Sequence, residues 1–207
     1  MAGTAATSVD YWNRFYARWR HTLPSQFAAL VASELAPATL VVDIGCGNGR
    51  DTFFFARSGF PTIGIDRSSV SIEANARMRS AGDVRFINAD ITACDLAALM
   101  PPHERACFYA RFFLHAIDDA TEDALLGRLA EIPEGSLLCL EFRTLADEAT
   151  AKTFGDHDRR YIDHEALVRA LPARGFQVDY ERQGRGMAKF RDEDPYVGRI
   201  LASKVAG

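Results

Sequence analysis

No stretch of this chain approaches the ~20 consecutive apolar residues that a membrane-spanning helix needs. Met1 to Ser8 has no basic segment followed by an apolar run, the pattern of a secretory leader. Cysteine is scarce and dispersed: Cys46, Cys94, Cys107 and Cys139 form no close pair. That argues against a disulfide framework and against a cysteine-rich zinc site, and it suits a reducing compartment. Excess basic charge is missing as well. With a formal net charge of −4, nothing draws the chain as a whole to nucleic acid or to an anionic membrane. Internal repeats, low-complexity tracts and long linkers are absent. What is present, 207 residues of which 48% are hydrophobic and 25% charged, fits one globular domain with a substantial core. The expectation is a cytoplasmic protein, a single domain over 1–207, with no nucleic-acid, membrane or metal partner. Oligomeric state leaves no signature.

The richest signal is Val41-Val42-Asp43-Ile44-Gly45-Cys46-Gly47-Asn48-Gly49-Arg50. A short apolar run ends in an acid and a loop with glycine at every second position. Glycine serves where the backbone takes positive φ or meets another group at contact distance, so this spacing implies a ligand touching main chain. Asp66 closes a second apolar run twenty-one residues after Gly45, where a nucleotide fold needs an acid for ribose hydroxyls. The pattern is G-x-G-x-G, not the G-x-G-x-x-G of dinucleotide sites, which counts against NAD and FAD.

Apolar runs at 39–44, 61–66, 84–88, 106–114 and 136–142 alternate with helical stretches at 50–58, 68–80 and 122–131. Such alternation predicts an α/β, doubly wound, mostly parallel sheet with helices on both faces and a binding crevice at the carboxyl ends of its strands. Ahead of it, residues 9–20 carry Tyr11, Trp12, Phe15, Tyr16 and Trp19 at helical spacing among Arg14, Arg18 and Arg20. Ser25 is placed to cap a second helix that ends before Pro37. Beyond residue 143, a helix at 163–174 precedes two strand-like runs, 176–182 and 197–205.

Taken together, Asp43, the glycine loop, Asp66 and Asp90 resemble the class I S-adenosylmethionine (SAM)-dependent methyltransferases, well over residues 39 to 143 and more loosely to the end. The resemblance implies a seven-stranded sheet completed by an antiparallel C-terminal strand pair. It divides the chain into an N-terminal helical lid (1–36), a SAM-binding core (37–143) and an acceptor-side loop, helix and strand pair (144–207). It also implies SAM as cofactor and S-adenosylhomocysteine (SAH) as product. Asp43 would hold the methionine amino group, and the loop Gly45-Cys46-Gly47-Asn48-Gly49 would admit the ligand against its backbone. Asp66 would take the ribose hydroxyls, Arg67 and Ser68 would flank the adenine, Asp90 would accept from the adenine amino group beside Ile91, and Phe112 would complete the cofactor wall. Asp90 reads equally as the cap of a turn.

The acceptor side carries more than one reading. Arg111, in an otherwise apolar strand, needs an anionic partner, either an internal carboxylate such as Asp43 or Glu141 or the substrate. His115 titrates near neutrality and suits a general base, or a packed or capping role. Arg143, Arg159, Arg160, Tyr161 and Arg185 belong to loops that the resemblance places around the acceptor mouth. They suit carboxylate or phosphate recognition, or a solvated surface paired with Asp156, Asp158, Asp192, Glu193 and Asp194. Tyr11, Trp12 and Tyr16 either pack the core or shape the acceptor pocket.

Methyl transfer from a sulfonium is a direct displacement governed by alignment and desolvation. An acceptor that is already anionic needs no base. The expected function is therefore methylation of a small, carboxylate- or phosphate-bearing metabolite. Two alternatives stand beside it: a thiol or chalcogen acceptor, and a catalytically silent SAM-binding partner subunit.

Overall fold

The computed structural model describes residues 5–18, 22–80, 82–100, 105–149 and 160–206. Two helices, α1 (Ala5–Arg18) and α2 (Gln26–Glu34), precede β1 (Leu40–Ile44), α3 (Arg50–Arg57), β2 (Thr62–Asp66), α4 (Ser69–Ala76) and β3 (Val84–Asn88). Then come β4 (Ala106–Arg111), α5 (Asp119–Leu129), β5 (Leu137–Arg143), α6 (His164–Ala170), β6 (Phe176–Gly184) and β7 (Val197–Lys204). The strands form one sheet in the order β3-β2-β1-β4-β5-β7-β6. The β1–β2, β1–β4, β2–β3 and β4–β5 pairs are parallel, whereas β7 runs antiparallel to both β5 and β6. This is the doubly wound, seven-stranded sheet with an antiparallel C-terminal pair that the sequence predicts.

Alternation along the strands sorts side chains into two apolar layers. Val42, Ile44, Phe108, Ala110, Leu138, Leu140 and Ile200 pack on one face with Leu125, Leu126 and Leu129 of α5 and Leu167 of α6. Val41, Cys107, Tyr109, Cys139 and Leu201 pack on the other with Phe27, Ala28 and Val31 of α2 and Phe55 of α3. Helices of eight residues such as α3 and α4 are too short to persist alone in water, where ~12–15 residues are already marginal. Their stability comes from this packing, worth ~1.5–3 kcal/mol for each large side chain buried.

Several boundaries move from their expected places. β4 stops at Arg111, not at residue 114, because Phe112, whose N–H makes the last bond of the β4–β5 ladder to the Glu141 carbonyl at 2.7 Å, adopts φ +56°. α4 ends at Ala76 and not near residue 80. α6 gives way to a 3₁₀ turn, Pro172–Arg174, since proline cannot supply the N–H that a continuing helix needs. Between β3 and β4 the described residues form only 3₁₀ turns, Ile91–Ala93 and Ala97–Leu99. No helix among the described residues is long and apolar enough to cross a membrane. Trp19 and Arg20 of the aromatic stripe lie outside the described residues.

Ser25 ties α2 to its neighbour α3 and, through the Tyr109 hydroxyl at 3.1 Å, to β4. Its hydroxyl oxygen accepts from the Ala28 N–H at 3.0 Å as the N-cap of α2. The hydroxyl itself donates to Asp51 Oδ2 at 2.8 Å, and the Ser25 backbone N–H donates to Asp51 Oδ1 at 2.7 Å. Replacing Ser25 by alanine is expected to cost about 2 kcal/mol, the sum of a lost cap and a lost bond to a carboxylate. Ser33→Ala, at an exposed hydroxyl bonded only to the Leu30 carbonyl, is expected to stay within about 0.5 kcal/mol. Urea unfolding of both variants checks the contrast, and equal losses would contradict it.

Candidate functional site

A cavity of about 650 Å³ lies over the carboxyl ends of β1 to β4, roofed by Trp12, Phe15 and Tyr16 of α1 and by Ala188, Lys189 and Phe190 from the loop before β7. Its floor is the glycine loop. Gly45 and Gly47 have φ +71° and +52°, a region L side chains rarely adopt. The Gly45 and Cys46 N–H groups both donate to the Ile65 carbonyl, at 2.8 and 3.0 Å. Asn75 Nδ2 donates to the Gly47 carbonyl at 2.8 Å from below. A Cβ on Gly45 would stand 2.3 Å from the Phe113 ring, and one on Gly47 would stand 2.4 Å from the Tyr16 hydroxyl. Both glycines therefore give up side chains so that another group can meet the main chain. Gly49 is different: at φ +73° it caps α3 and does not line the cavity, so its role is the turn and not ligand contact.

Three acids stand around this floor. Asp43 is buried and accepts from Thr52 Oγ1 at 2.6 Å. Burial, then the nearby Asp51 carboxylate, pushes its pKa up to about 7. An acid held half-ionised at neutrality is stabilised by any cation that enters beside it. Asp66 accepts from the Gly47 and Ser68 N–H groups, each at 2.8 Å, and burial raises its pKa despite those bonds. Asp90 caps the turn that follows it, accepting from the Thr92 N–H at 3.0 Å and hydroxyl at 2.8 Å, while Oδ2 lies 3.6 Å from Arg67 Nε. The capping reading of Asp90 is thus realised, and the residue still lines the cavity beside Ile91, Arg67 and Ser68. Asn48 and Cys46 line it too. Among the described residues no cluster of three or more His, Cys, Asp or Glu could hold a metal.

The facing wall is cationic. Arg111 Nε donates to Glu141 Oε1 at 2.7 Å, so of the two internal acids that sequence offered, Glu141 and not Asp43 is its partner. Glu141 Oε2 also accepts from Arg199 Nε at 2.7 Å. The Arg111 guanidinium lies 4.1 Å from the centre of the Phe112 ring. Phe112 therefore belongs to this wall, and the ring set against the glycine loop is its neighbour Phe113. His115 is buried, and its Nδ1 accepts from the Arg143 backbone N–H at 3.3 Å. That bond favours the tautomer with the proton on Nε2, in keeping with the packed reading of His115, which also lines the cavity.

The arginine cluster expected at the acceptor mouth does not assemble as such. Arg143 lines the cavity but is gripped by Asp147 at 2.6 Å and by Glu193, so its charge is matched within the fold. Arg160 reaches Asp119, Glu122 and the carbonyls of Leu114 and Ile117, pinning the chain against the start of α5 outside the cavity. Arg185 is exposed and donates to the Asp194 carbonyl. Neither Arg185, Tyr161 nor Tyr11 lines the cavity; Tyr11 packs on Trp12 and Phe15. Arg159, with Asp156, His157 and Asp158, lies outside the described residues. Tyr16 reaches from the roof to the glycine loop and Asp66, where burial and the Asp66 charge raise its pKa well above the usual value.

Among the cavity residues that sequence reading did not assign to the site are Arg50, Asp51, Tyr109 and Ser25. Tyr109 donates its hydroxyl to Asp51 Oδ2 at 2.9 Å. A cation at the first position of a helix, where the macrodipole disfavours it, was the signal available for Arg50.

The raised pKa of Asp43 has a thermodynamic sign. Its folded value, about 7, exceeds the ordinary carboxylate range. The stability it contributes is complete below about pH 4 and is lost as pH rises through 7, at ~1.4 kcal/mol per pKa unit. Asp43→Asn is expected to flatten the decline of the thermal midpoint of the ligand-free protein between about pH 5 and 8, leaving the smaller slope due to Asp66. Parallel wild-type and variant curves would show that Asp43 is ionised throughout.

Residues 41–132 match the methyltransferase domain family. Trans-aconitate 2-methyltransferase of Delftia acidovorans is 32% identical over 179 residues, which cover 80% of this chain and 64% of that relative. The chain thus spans under two thirds of that relative's length. A SAM-dependent methyltransferase from Anabaena variabilis superposes with a TM-score of 0.74 at 19% identity, covering 98% of this chain and 96% of its own. Magnesium protoporphyrin IX methyltransferase from Synechocystis PCC 6803, crystallised with bound SAH, gives 0.64 at 16% identity, covering 99% and 88%. At these identities the two structures speak to the fold, which is the same. Residues 41–132 thus form a methyltransferase domain, and the glycine floor with its acids and the strand order are those of the class I SAM-dependent methyltransferase fold.

Proposed function

We propose that this chain binds SAM and transfers its methyl group to a small, anionic, carboxylate-bearing acceptor. The residues present fit the cofactor. Gly45 and Gly47 let another group come against the main chain, where the Phe113 ring and the Tyr16 hydroxyl now stand, Asp43 is a buried acid that a cation would stabilise, and Asp66 and Asp90 keep carboxylate oxygens at the cavity edge. SAM supplies the methyl group on a sulfonium, an electrophile that needs only an aligned nucleophile.

One observation carries the choice of acceptor. Around the wall that faces the floor stand Arg111, Arg143, His115 and Tyr109, while the carboxylates on that side are engaged, Glu193 by Arg143 and Asp51 by Ser25 and Tyr109. His115 Nδ1 is occupied. Burial holds the Tyr109 hydroxyl, like that of Tyr16, well above its usual pKa. A nucleophile entering here must arrive deprotonated, and a carboxylate does so at any pH well above ~4. The D. acidovorans relative, a methyltransferase of trans-aconitate by name, supports the same class. Within this reading, Arg111 orients the acceptor while Glu141 and Phe112 hold it in place, and the aromatic residues of α1 exclude water from the cavity. A cavity of about 650 Å³ lies within the usual range for small-molecule sites.

The test is SAH release from SAM with trans-aconitate and a panel of mono-, di- and tricarboxylates, followed by the pH dependence of kcat at saturating SAM. A carboxylate acceptor is expected to give a flat profile between about pH 6 and 9. A rate climbing roughly tenfold per pH unit and levelling near the ~8.5 of a free thiol would favour the thiol reading instead. SAM binding without SAH formation on any acceptor would favour the silent subunit.

A further inference from the structure

Carboxylates beneath the cavity are shared unevenly: Arg143 holds two, Asp147 and Glu193, whereas Arg50, Arg111 and Arg199 have two among the three of them. Arg111 and Arg199 share one carboxylate, Glu141, each at 2.7 Å. Arg50, the first residue of α3, approaches only Asp51, with Nε 3.8 Å from Oδ1, and makes no hydrogen bond among the described residues. Asp51 is already engaged: it accepts from the Ser25 N–H, the Ser25 hydroxyl and the Tyr109 hydroxyl at 2.7 to 2.9 Å. Three guanidiniums therefore face two carboxylates, with side chains only 20%, 14% and 8% exposed for Arg50, Arg111 and Arg199. The other cavity arginines are matched, Arg143 by Asp147 and Glu193 and Arg67 by Asp90. Asp43, the remaining acid nearby, is held by Thr52 and only half-ionised at neutrality.

An unbalanced buried cation is costly unless an anion joins it. Two of the three arginines, Arg50 and Arg111, line the cavity, where such an anion can reach them. Placing a cation at the positive end of α3 also works against the helix, a local conflict of the kind that functional sites retain. Burial, then the nearby Arg111 charge, lowers the Arg50 pKa, whereas Arg111, bonded to Glu141, is raised.

We propose that Arg50 and Arg111 together form the carboxylate-binding pair of this cavity, in the role that Arg143, Arg160 and Arg185 do not fill. The inference rests on the methyltransferase reading and names the residues that give that site its selectivity. Two carboxylates can reach the pair: that of the acceptor, and that of the amino-acid end of the cofactor. A forked guanidinium binds either in the same way, so the experiment must separate them.

Calorimetry on the full chain and on Arg50→Gln and Arg50→Lys provides the separation, with thermal unfolding as a check that each variant folds. Protein saturated with SAH is titrated with acetate, succinate, benzoate and citrate and with the neutral methyl ester of each. Ligand-free protein is titrated with SAH and with 5′-methylthioadenosine, which lacks the amino acid. For acceptor recognition, Arg50→Gln is expected to lower the acid-over-ester preference at least ~10-fold with SAH affinity unchanged, and lysine is expected to restore part of it. For cofactor recognition, SAH affinity falls by a similar factor while 5′-methylthioadenosine affinity stays. Either outcome supports the pair, and no change in both arms overturns it. Wild-type protein that binds no SAH at all would sink the methyltransferase reading itself, a result the second arm registers on its own.

Discussion

Glu141 is the residue around which the functional end of this protein is arranged. It is buried, and it is the register neighbour of Arg111 on β4 and of Arg199 on β7. One carboxylate thus bridges the parallel half of the sheet to its antiparallel edge. Breaking a buried pair by removing one partner typically costs ~3–5 kcal/mol, because the survivor is left charged and alone. The arrangement is accordingly stiff. Its main-chain carbonyl adds a further constraint: it accepts the last bond of the β4–β5 ladder from the Phe112 N–H at 2.7 Å, and the positive φ of Phe112 then turns the chain out of the sheet. That turn sets the Phe112 ring under Arg111 and sends Phe113 the other way, against the glycine floor. Both walls of the cavity are therefore tied to one acidic side chain and its backbone.

What sequence revealed and what it hid divide along a physical line. The glycine floor was legible because positive φ and close main-chain approach are requirements on consecutive residues, written in Gly45, Gly47 and the acid ahead of them. Sheet architecture was legible for a similar reason: apolar periodicity is local, and parallel connection rules do the rest. The fate of each arginine was not. Arg143 is neutralised by Glu193, fifty residues away in sequence, and Arg160 by Asp119 and Glu122 some forty away. Arg111 had two candidate acids, and only the β4–β5 register selects Glu141 over Asp43. Pairings of that kind are properties of the packed sheet and have no local signature.

Asp90 shows the intermediate case. Its side chain does what an aspartate before a turn ordinarily does, capping through Thr92, and the same geometry leaves Oδ2 facing Arg67 at the cavity edge. Structural and binding roles need not compete when a carboxylate has two oxygens. Asp66 divides itself in the same manner, holding Gly47 with one oxygen and Ser68 with the other, with further lone pairs on each.

Tyr16 has a consequence for occupancy. Its hydroxyl rests against the main chain of Gly47, while Asn13 of the same helix receives the Ser68 hydroxyl at 2.6 Å. Anything that settles on that stretch of backbone has to displace the ring. The side chain thus acts as an intramolecular competitor, and the affinity of an occupant at that spot is its intrinsic affinity scaled by the fraction of molecules in which the ring stands aside.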